Sequence, residues 1–203
     1  AANNGGQSLG STPNDGLVYG DKMYVVVDGS NTVEVINKKT MQRIKQIKTT
    51  ELLGAAEGKS PRHIIAGNGH IFFTTYGGYV AAVDTVNFKL TAKYKVGSHP
   101  EGLAGYASSI VVANSDYAKG HGNISIINLG TGEVETRNVE GINNPQKVFI
   151  NNGNVYILDW VYYEGEYPNS VEKGESAIKY LAGNKATKVT DAYYASMLNG
   201  KLY

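Results

Sequence analysis

Cysteine is absent from the 203 residues, which excludes disulfides and thiolate chemistry and leaves the compartment open. Proline is scarce, at 5, and tryptophan occurs once. Neither sign of charge dominates: 19 Lys and Arg stand against 18 Asp and Glu, a formal net charge of +1, and no basic block occurs. Nucleic acid therefore has no electrostatic footprint beyond scattered lysines. No apolar run approaches the roughly 18 residues of a membrane helix, so no membrane span is expected. Phosphate-binding loops, dinucleotide fingerprints, metalloprotease helix motifs and nucleophile elbows are missing. No segment carries a long 3.6-residue apolar period, so little helix is expected. The chain opens at Ala1 without a signal-peptide pattern and ends at Asn199-Gly200-Lys201-Leu202-Tyr203, a turn and the opening of a strand. A processed start and a chain cut in mid-element are the expectations.

What is present favours sheet. Glycine reaches 25 and tyrosine 15, against 4 phenylalanines, with 41% hydrophobic and 18% charged residues. Many turns and many half-exposed aromatics suit a globular β-protein. One unit recurs. A short apolar strand reads Met23-Tyr24-Val25-Val26-Val27, then Ile71-Phe72-Phe73-Thr74-Thr75. It returns as Ile110-Val111-Val112-Ala113-Asn114 and Val155-Tyr156-Ile157-Leu158-Asp159, and Leu202-Tyr203 opens a fifth copy. Starts at 23, 71, 110, 155 and 202 are spaced by 48, 39, 45 and 47 residues, the period of a four-stranded propeller blade. Asn68-Gly69, Asn152-Gly153 and Asn199-Gly200 supply the positive φ of two-residue hairpin turns. The spacing predicts an all-β chain: one β-propeller domain over 1–203, incomplete at about four and a half blades. The blades fall at 14–50, 61–98, 100–140 and 145–190, with a further start at 197–203.

The first strand of each blade is expected to line a central channel. Aligning Asn14-Asp15-Gly16-Leu17 with Pro61-Arg62-His63-Ile64, Pro100-Glu101-Gly102-Leu103 and Pro145-Gln146-Lys147-Val148 puts Asp15, Arg62, Glu101 and Gln146 at one level, beside His63. They form either a mutually paired ring that settles blade packing or a ligand site at the channel mouth. Gly16 and Gly102 suit a mouth where backbones converge. The loops between second and third strands lie on that same face. Two are tight and two are long. Residues 115–122 include Asp116, Tyr117 and His121; residues 160–176 include Trp160, Tyr162, Tyr163, Glu164, Glu166 and Tyr167. Loops that outgrow their repeat often carry function. Aromatic rings beside carboxylates suit sugar stacking or a protein hot spot; folding back over the blade edge is the alternative. His63 and His99 sit at similar blade edges, but no pair of the four histidines has ligand spacing, so no metal and no cofactor are expected.

Val96-Gly97-Ser98-His99-Pro100-Glu101-Gly102-Leu103-Ala104, followed by Ile110-Val111-Val112-Ala113-Asn114-Ser115, resembles the YVTN-type propeller repeat. Thr32-Val33-Glu34-Val35-Ile36-Asn37 and Ile124-Ser125-Ile126-Ile127-Asn128 look like its third strand. The wider layout is similar to YncE-like and surface-layer propeller proteins of Bacteroides-type bacteria. The resemblance implies a seven-bladed ring and an extracytoplasmic protein, in the periplasm or on the cell surface, with a lipid anchor on the full-length chain. Arg62-His63 and Gln146-Lys147 depart from the repeat's glycine-containing entrance. The expected function is a non-catalytic binding module for a glycan or protein partner. Two alternatives stand: a lactonase- or lyase-like enzyme using the channel-mouth ring, and single-stranded nucleic-acid binding.

Overall fold

The computed structural model describes residues 8–203. The chain divides into two compact units, one running to Lys95 and one from Val96. In the first, β1 (Pro13–Tyr19), β2 (Lys22–Val27), β3 (Thr32–Asn37) and β4 (Arg43–Lys48) form an antiparallel sheet in chain order. After the short helix α1 (Thr49–Leu53), β5 (Pro61–Gly67), β6 (His70–Thr75), β7 (Tyr79–Asp84) and β8 (Leu90–Lys95) repeat it. In the second unit the pattern recurs as β9 (Pro100–Tyr106), β10 (Ser109–Asn114), β11 (Asn123–Asn128) and β12 (Val134–Arg137). It recurs again as β13 (Pro145–Asn151), β14 (Asn154–Asp159), β17 (Ala177–Ala182) and β18 (Lys185–Asp191). A small hairpin, β15 (Tyr162–Glu164) and β16 (Val171–Lys173), interrupts the last sheet between β14 and β17. A second, β19 (Met197–Leu198) and β20 (Lys201–Leu202), follows it.

Burial explains the strand sequences. The inner pair of strands is buried on successive residues and largely apolar: Ile71 to Thr75 of β6 and Thr32 to Ile36 of β3 are all buried, Glu34 and the threonines included, and successive side chains point to opposite faces. The outer strand β8 alternates exposed Thr91, Lys93 and Lys95 with half-buried residues, and β4 exposes Lys45 and Lys48, charges that protect a sheet edge. Tyr24, Val26, Val35, Ile64 and Phe73 close the core of the first unit; Val111, Ile124, Val148 and Ile157 close that of the second. Each contributes roughly 1.5–3 kcal/mol on burial. The three Asn-Gly turns take the left-handed pair of conformations their sequences demand, with φ of 50° and 77°, 49° and 79°, and 50° and 70°. A second local device recurs after the third strand. Asn37, Asp84 and Asn128 each accept two backbone N–H groups of the following turn through one side-chain oxygen.

Each first strand is bulged at its entrance. The register pairs Pro13 with Val27, Pro61 with Thr75, Pro100 with Asn114 and Pro145 with Asp159. This corrects the sequence alignment by one residue in the first blade. Pro13 is the counterpart of the other three prolines, so Asn14 corresponds to Arg62, Glu101 and Gln146. Asp15 corresponds to His63, Gly102 and Lys147.

Candidate functional site

In the first unit the bulged entrances of β1 and β5 meet, and their polar side chains hold each other. Asp15 Oδ2 lies 3.0 Å from His63 Nδ1 and accepts the Ile64 N–H at 3.2 Å, while Oδ1 accepts the Gly16 N–H at 2.8 Å. Burial pushes this carboxyl up. The hydrogen bond and charge of His63, with the two backbone N–H groups, outweigh it and hold the group below the ordinary aspartate value. Arg62 donates from Nη1 to Asp28 Oδ2 at 2.6 Å, and its guanidinium lies 4.7 Å from the centre of the Tyr76 ring. Its carbonyl accepts the Asn14 amide at 2.5 Å. Asp28 and Tyr76 open the tight turns after β2 and β6, so those turns clamp an arginine of the chain's own β5.

In the second unit Glu101 is 3% exposed, and Gln146 donates to Asn144 Oδ1 at 2.6 Å. Gly102 runs so close to β13 that a Cβ there would stand 2.7 Å from the Gln146 carbonyl oxygen. The expected convergence of backbones at Gly102 is present, whereas Gly16 faces the Tyr24 carbonyl of its own blade. Each unit thus assembles its own entrance residues, and those residues are engaged within the fold.

The long connections of the second unit are built differently. Residues 115–122 open with the Ser115 N–H and hydroxyl both donating to the His99 carbonyl, at 3.0 Å each. Asp116, Tyr117 and Ala118 then take left-handed φ of 47°, 58° and 62°, a conformation that side-chain-bearing residues seldom adopt in succession. The Tyr117 ring is 63% exposed and tilts against His99 at 5.2 Å. Exposed His121 lies 3.3 Å from Asp116.

Residues 160–176 fold into the β15–β16 hairpin rather than an open loop, with Tyr162 paired to Lys173, Tyr163 to Glu172 and Glu164 to Val171 across the ladder. Its base is anchored by a buried ion pair. Lys179 Nζ donates to Asp159 Oδ2 and to the Gly141 carbonyl, both at 2.7 Å, and Asp159 Oδ1 accepts the Asn144 N–H at 2.7 Å. Burial dominates here and pushes the Asp159 carboxyl up, opposed by Lys179 and the N–H groups of Asn144 and Asn143. Trp160 turns inward: its indole N–H donates to the Tyr193 carbonyl at 3.0 Å, and it packs on the cluster of Phe149, Leu158 and Ile178. Tyr162 packs between glycines. A Cβ on Gly120 would lie 2.5 Å from its ring and one on Gly174 3.2 Å, so the two long connections seat against each other through this side chain. Tyr163 remains 47% exposed and donates its hydroxyl to Glu172 at 3.2 Å, which raises the phenol's pKa. Tyr167, at the tip, is 92% exposed.

The structure thus brings Tyr117, Tyr162, Tyr163 and Tyr167 to one pair of seated connections, with Trp160 and Tyr162 committed to packing. Sequence reasoning passed over Tyr193 and Tyr194, both well exposed after β18, with Tyr194 edge-on to Trp160 at 6.4 Å. Two adjacent tyrosines in the loop entering the next strand pair, on the same face as the long connections, were the available signal. Among the described residues, no three His, Asp or Glu side chains gather into a group able to hold a metal ion. Among them too, no helix is long and apolar enough to cross a membrane.

A family model described as a domain of unknown function (DUF5074) matches residues 1–159. The chain belongs to this family. No curated protein matches the DUF5074 chain. Its fold is that of a β-propeller of four-stranded antiparallel blades. Over 87% of its length it is similar to the computationally designed Ika4 protein, covering 95% of that chain at 12% identity with a TM-score of 0.62. Over 88% it is similar to hydrazine synthase of Kuenenia stuttgartiensis, at 17% identity and a TM-score of 0.67, and spans 54% of that chain. The WD40 β-propeller domain of Doa1 matches 68% of the chain at 15% identity and a TM-score of 0.50, and the match spans 43% of Doa1's chain. At such identities the likeness is one of fold.

Proposed function

We propose that this chain is a binding module that takes a protein or glycan partner on the long connections of its second unit. The contrast between equivalent connections supports this. After β2 and β6 the chain turns in a few residues and uses its polar groups internally, whereas after β14 it extends into a hairpin whose Tyr163 and Tyr167 face solvent. An ordered excursion that presents aromatic rings without burying them suits recognition of a surface. The YVTN-like segment from Val96 to Ser115 and the surface-layer-like layout of the whole chain support a place outside the cytoplasm, in the periplasm or on the cell surface, with a lipid anchor on the full-length protein. Cell fractionation of the native source tests that placement, and recovery with the cytoplasmic fraction would refute it.

Screening the purified chain on glycan and protein arrays tests binding. Spots lost by Tyr117→Ala together with Tyr163→Ala, at unchanged circular dichroism, are the expected result. Spots that both proteins retain equally would remove the second unit's connections from the reading.

A further inference from the structure

The first unit shows what a tyrosine beside a carboxylate holds in this protein. At the turns after β2 and β6, Asp28 and Tyr76 receive the guanidinium of Arg62, the carboxylate at 2.6 Å and the ring centre at 4.7 Å. A planar, always-charged group that hydrogen-bonds along its edge and stacks on its face is satisfied by that pair in a way a lysine is not. The same repeat position in the second unit sets out the same chemistry turned outward. On the hairpin, Tyr163 stands beside Glu172, across the strand pair from it, with its hydroxyl given to that carboxylate. Tyr162 is tied to Glu164 in the same manner at 3.4 Å, and Glu166 and Tyr167 crown the tip.

No arginine lies between 160 and 176. Four glutamates, Glu164, Glu166, Glu172 and Glu175, stand there against the single cation Lys173. Glu175 is met by Lys188 at 2.8 Å, but the other three are on or near the hairpin's exposed face. The negative excess is local, since the chain as a whole carries +1. A negative, tyrosine-bearing protrusion repels anionic glycans, and its charge adds no attraction for a neutral sugar. It attracts a cation, and the exposed rings favour a flat one.

The geometry points to the β15–β16 hairpin as a docking surface for an arginine-bearing segment of a partner protein, its guanidinium groups stacking on Tyr163 and Tyr167 while Glu164, Glu166 and Glu172 accept their N–H groups. This rests on the binding reading above and names the partner's chemistry.

The test is fluorescence anisotropy of the purified chain with three fluorescein-labelled peptides: alternating Arg-Gly, its Lys-Gly counterpart and its Glu-Gly counterpart. Expected is saturable binding of the Arg-Gly peptide that weakens with salt, is several-fold poorer for Lys-Gly, and is missing for Glu-Gly. Tyr163→Ala with Tyr167→Ala, and separately Glu164→Gln with Glu166→Gln and Glu172→Gln, should each cost at least about tenfold in affinity, with circular dichroism unchanged. No binding of Arg-Gly by the unaltered protein overturns the inference, as does equal binding of the Arg and Lys peptides untouched by the tyrosine variants. An array partner that is a neutral glycan, insensitive to the Glu→Gln changes, also overturns it and leaves the binding module standing. An array without any partner removes both.

Discussion

The turns after β2 and β6 and the connections after β10 and β14 occupy the same place in the same repeat, yet they use their side chains in opposite ways. In the first unit Asp28 and Tyr76 are drawn onto Arg62, and Asp15 onto His63, so polar groups lock one blade entrance to the next. In the second unit the lock lies deeper, at Asp159 and Lys179, and the connections above it are left with exposed tyrosines. The buried charges differ in the same sense. Glu34 is fully buried but meets the part-exposed Arg43 at 2.6 Å, an ionic contact more than a well-aligned hydrogen bond, whereas both partners of Asp159–Lys179 are buried. The first unit thus clamps one blade entrance to the next near the surface, whereas the buried pair of the second ties β14 and β17 of one blade to the connection at Gly141 and Asn144 from within.

The largest expected effect breaks the internal pair. Asp159→Ala leaves a buried ammonium without its carboxylate and should cost about 3–5 kcal/mol in urea unfolding. Replacing both partners, Asp159→Leu with Lys179→Met, should recover much of that loss. A double variant as unstable as the single one would show that the Asn143 and Asn144 N–H groups, not the pair, are decisive. Next comes Gly120→Ala. A Cβ at φ of +80° and 2.5 Å from the Tyr162 ring should cost about 2 kcal/mol, read as a lower thermal midpoint, and should unseat the two connections.

Asp15→Asn sharpens the first unit's side of the contrast. The folded-state pKa of Asp15 lies below its ordinary value of 3.8, so its contribution is present above that value and is lost as pH falls through the folded-state one. The wild-type chain should lose stability over that acid window, and Asp15→Asn should flatten the loss. The difference should be under about 1 kcal/mol, because the pair is partly solvated. Smallest is Tyr167→Ala, expected within about 0.5 kcal/mol of wild type. Trp160→Ala, by contrast, should destabilise clearly, because the indole is packed and hydrogen-bonded. Equal effects of the two would refute the division between anchoring and presenting aromatics.

Much of the blade pattern was legible in the sequence because it rests on neighbours in the chain. The apolar runs at 23, 71, 110 and 155 found all four second strands, and Asn-Gly placed three hairpins, since positive φ is a local demand. The first blade's entrance was misaligned because Pro13 was passed over in favour of Asn14, and only pairing with Val27 reveals the phase. In sequence the long connection is a patch of aromatics with nothing to distinguish one ring from another. Trp160 and Tyr162 look as available as Tyr163 in one dimension; the Tyr193 carbonyl, Gly120 and Gly174 that engage them lie far off or outside the connection's apolar pattern. Lys179, an ordinary lysine in the sequence, becomes a buried partner only when β17 lies beside β14.

By itself, then, the sequence determined strand, turn and repeat, because alternation, Asn-Gly and blade spacing act over a few bonds. The tertiary structure alone decided which polar residues clamp and which aromatics face solvent. Those outcomes depend on desolvation and on contacts between segments that the chain order does not bring together.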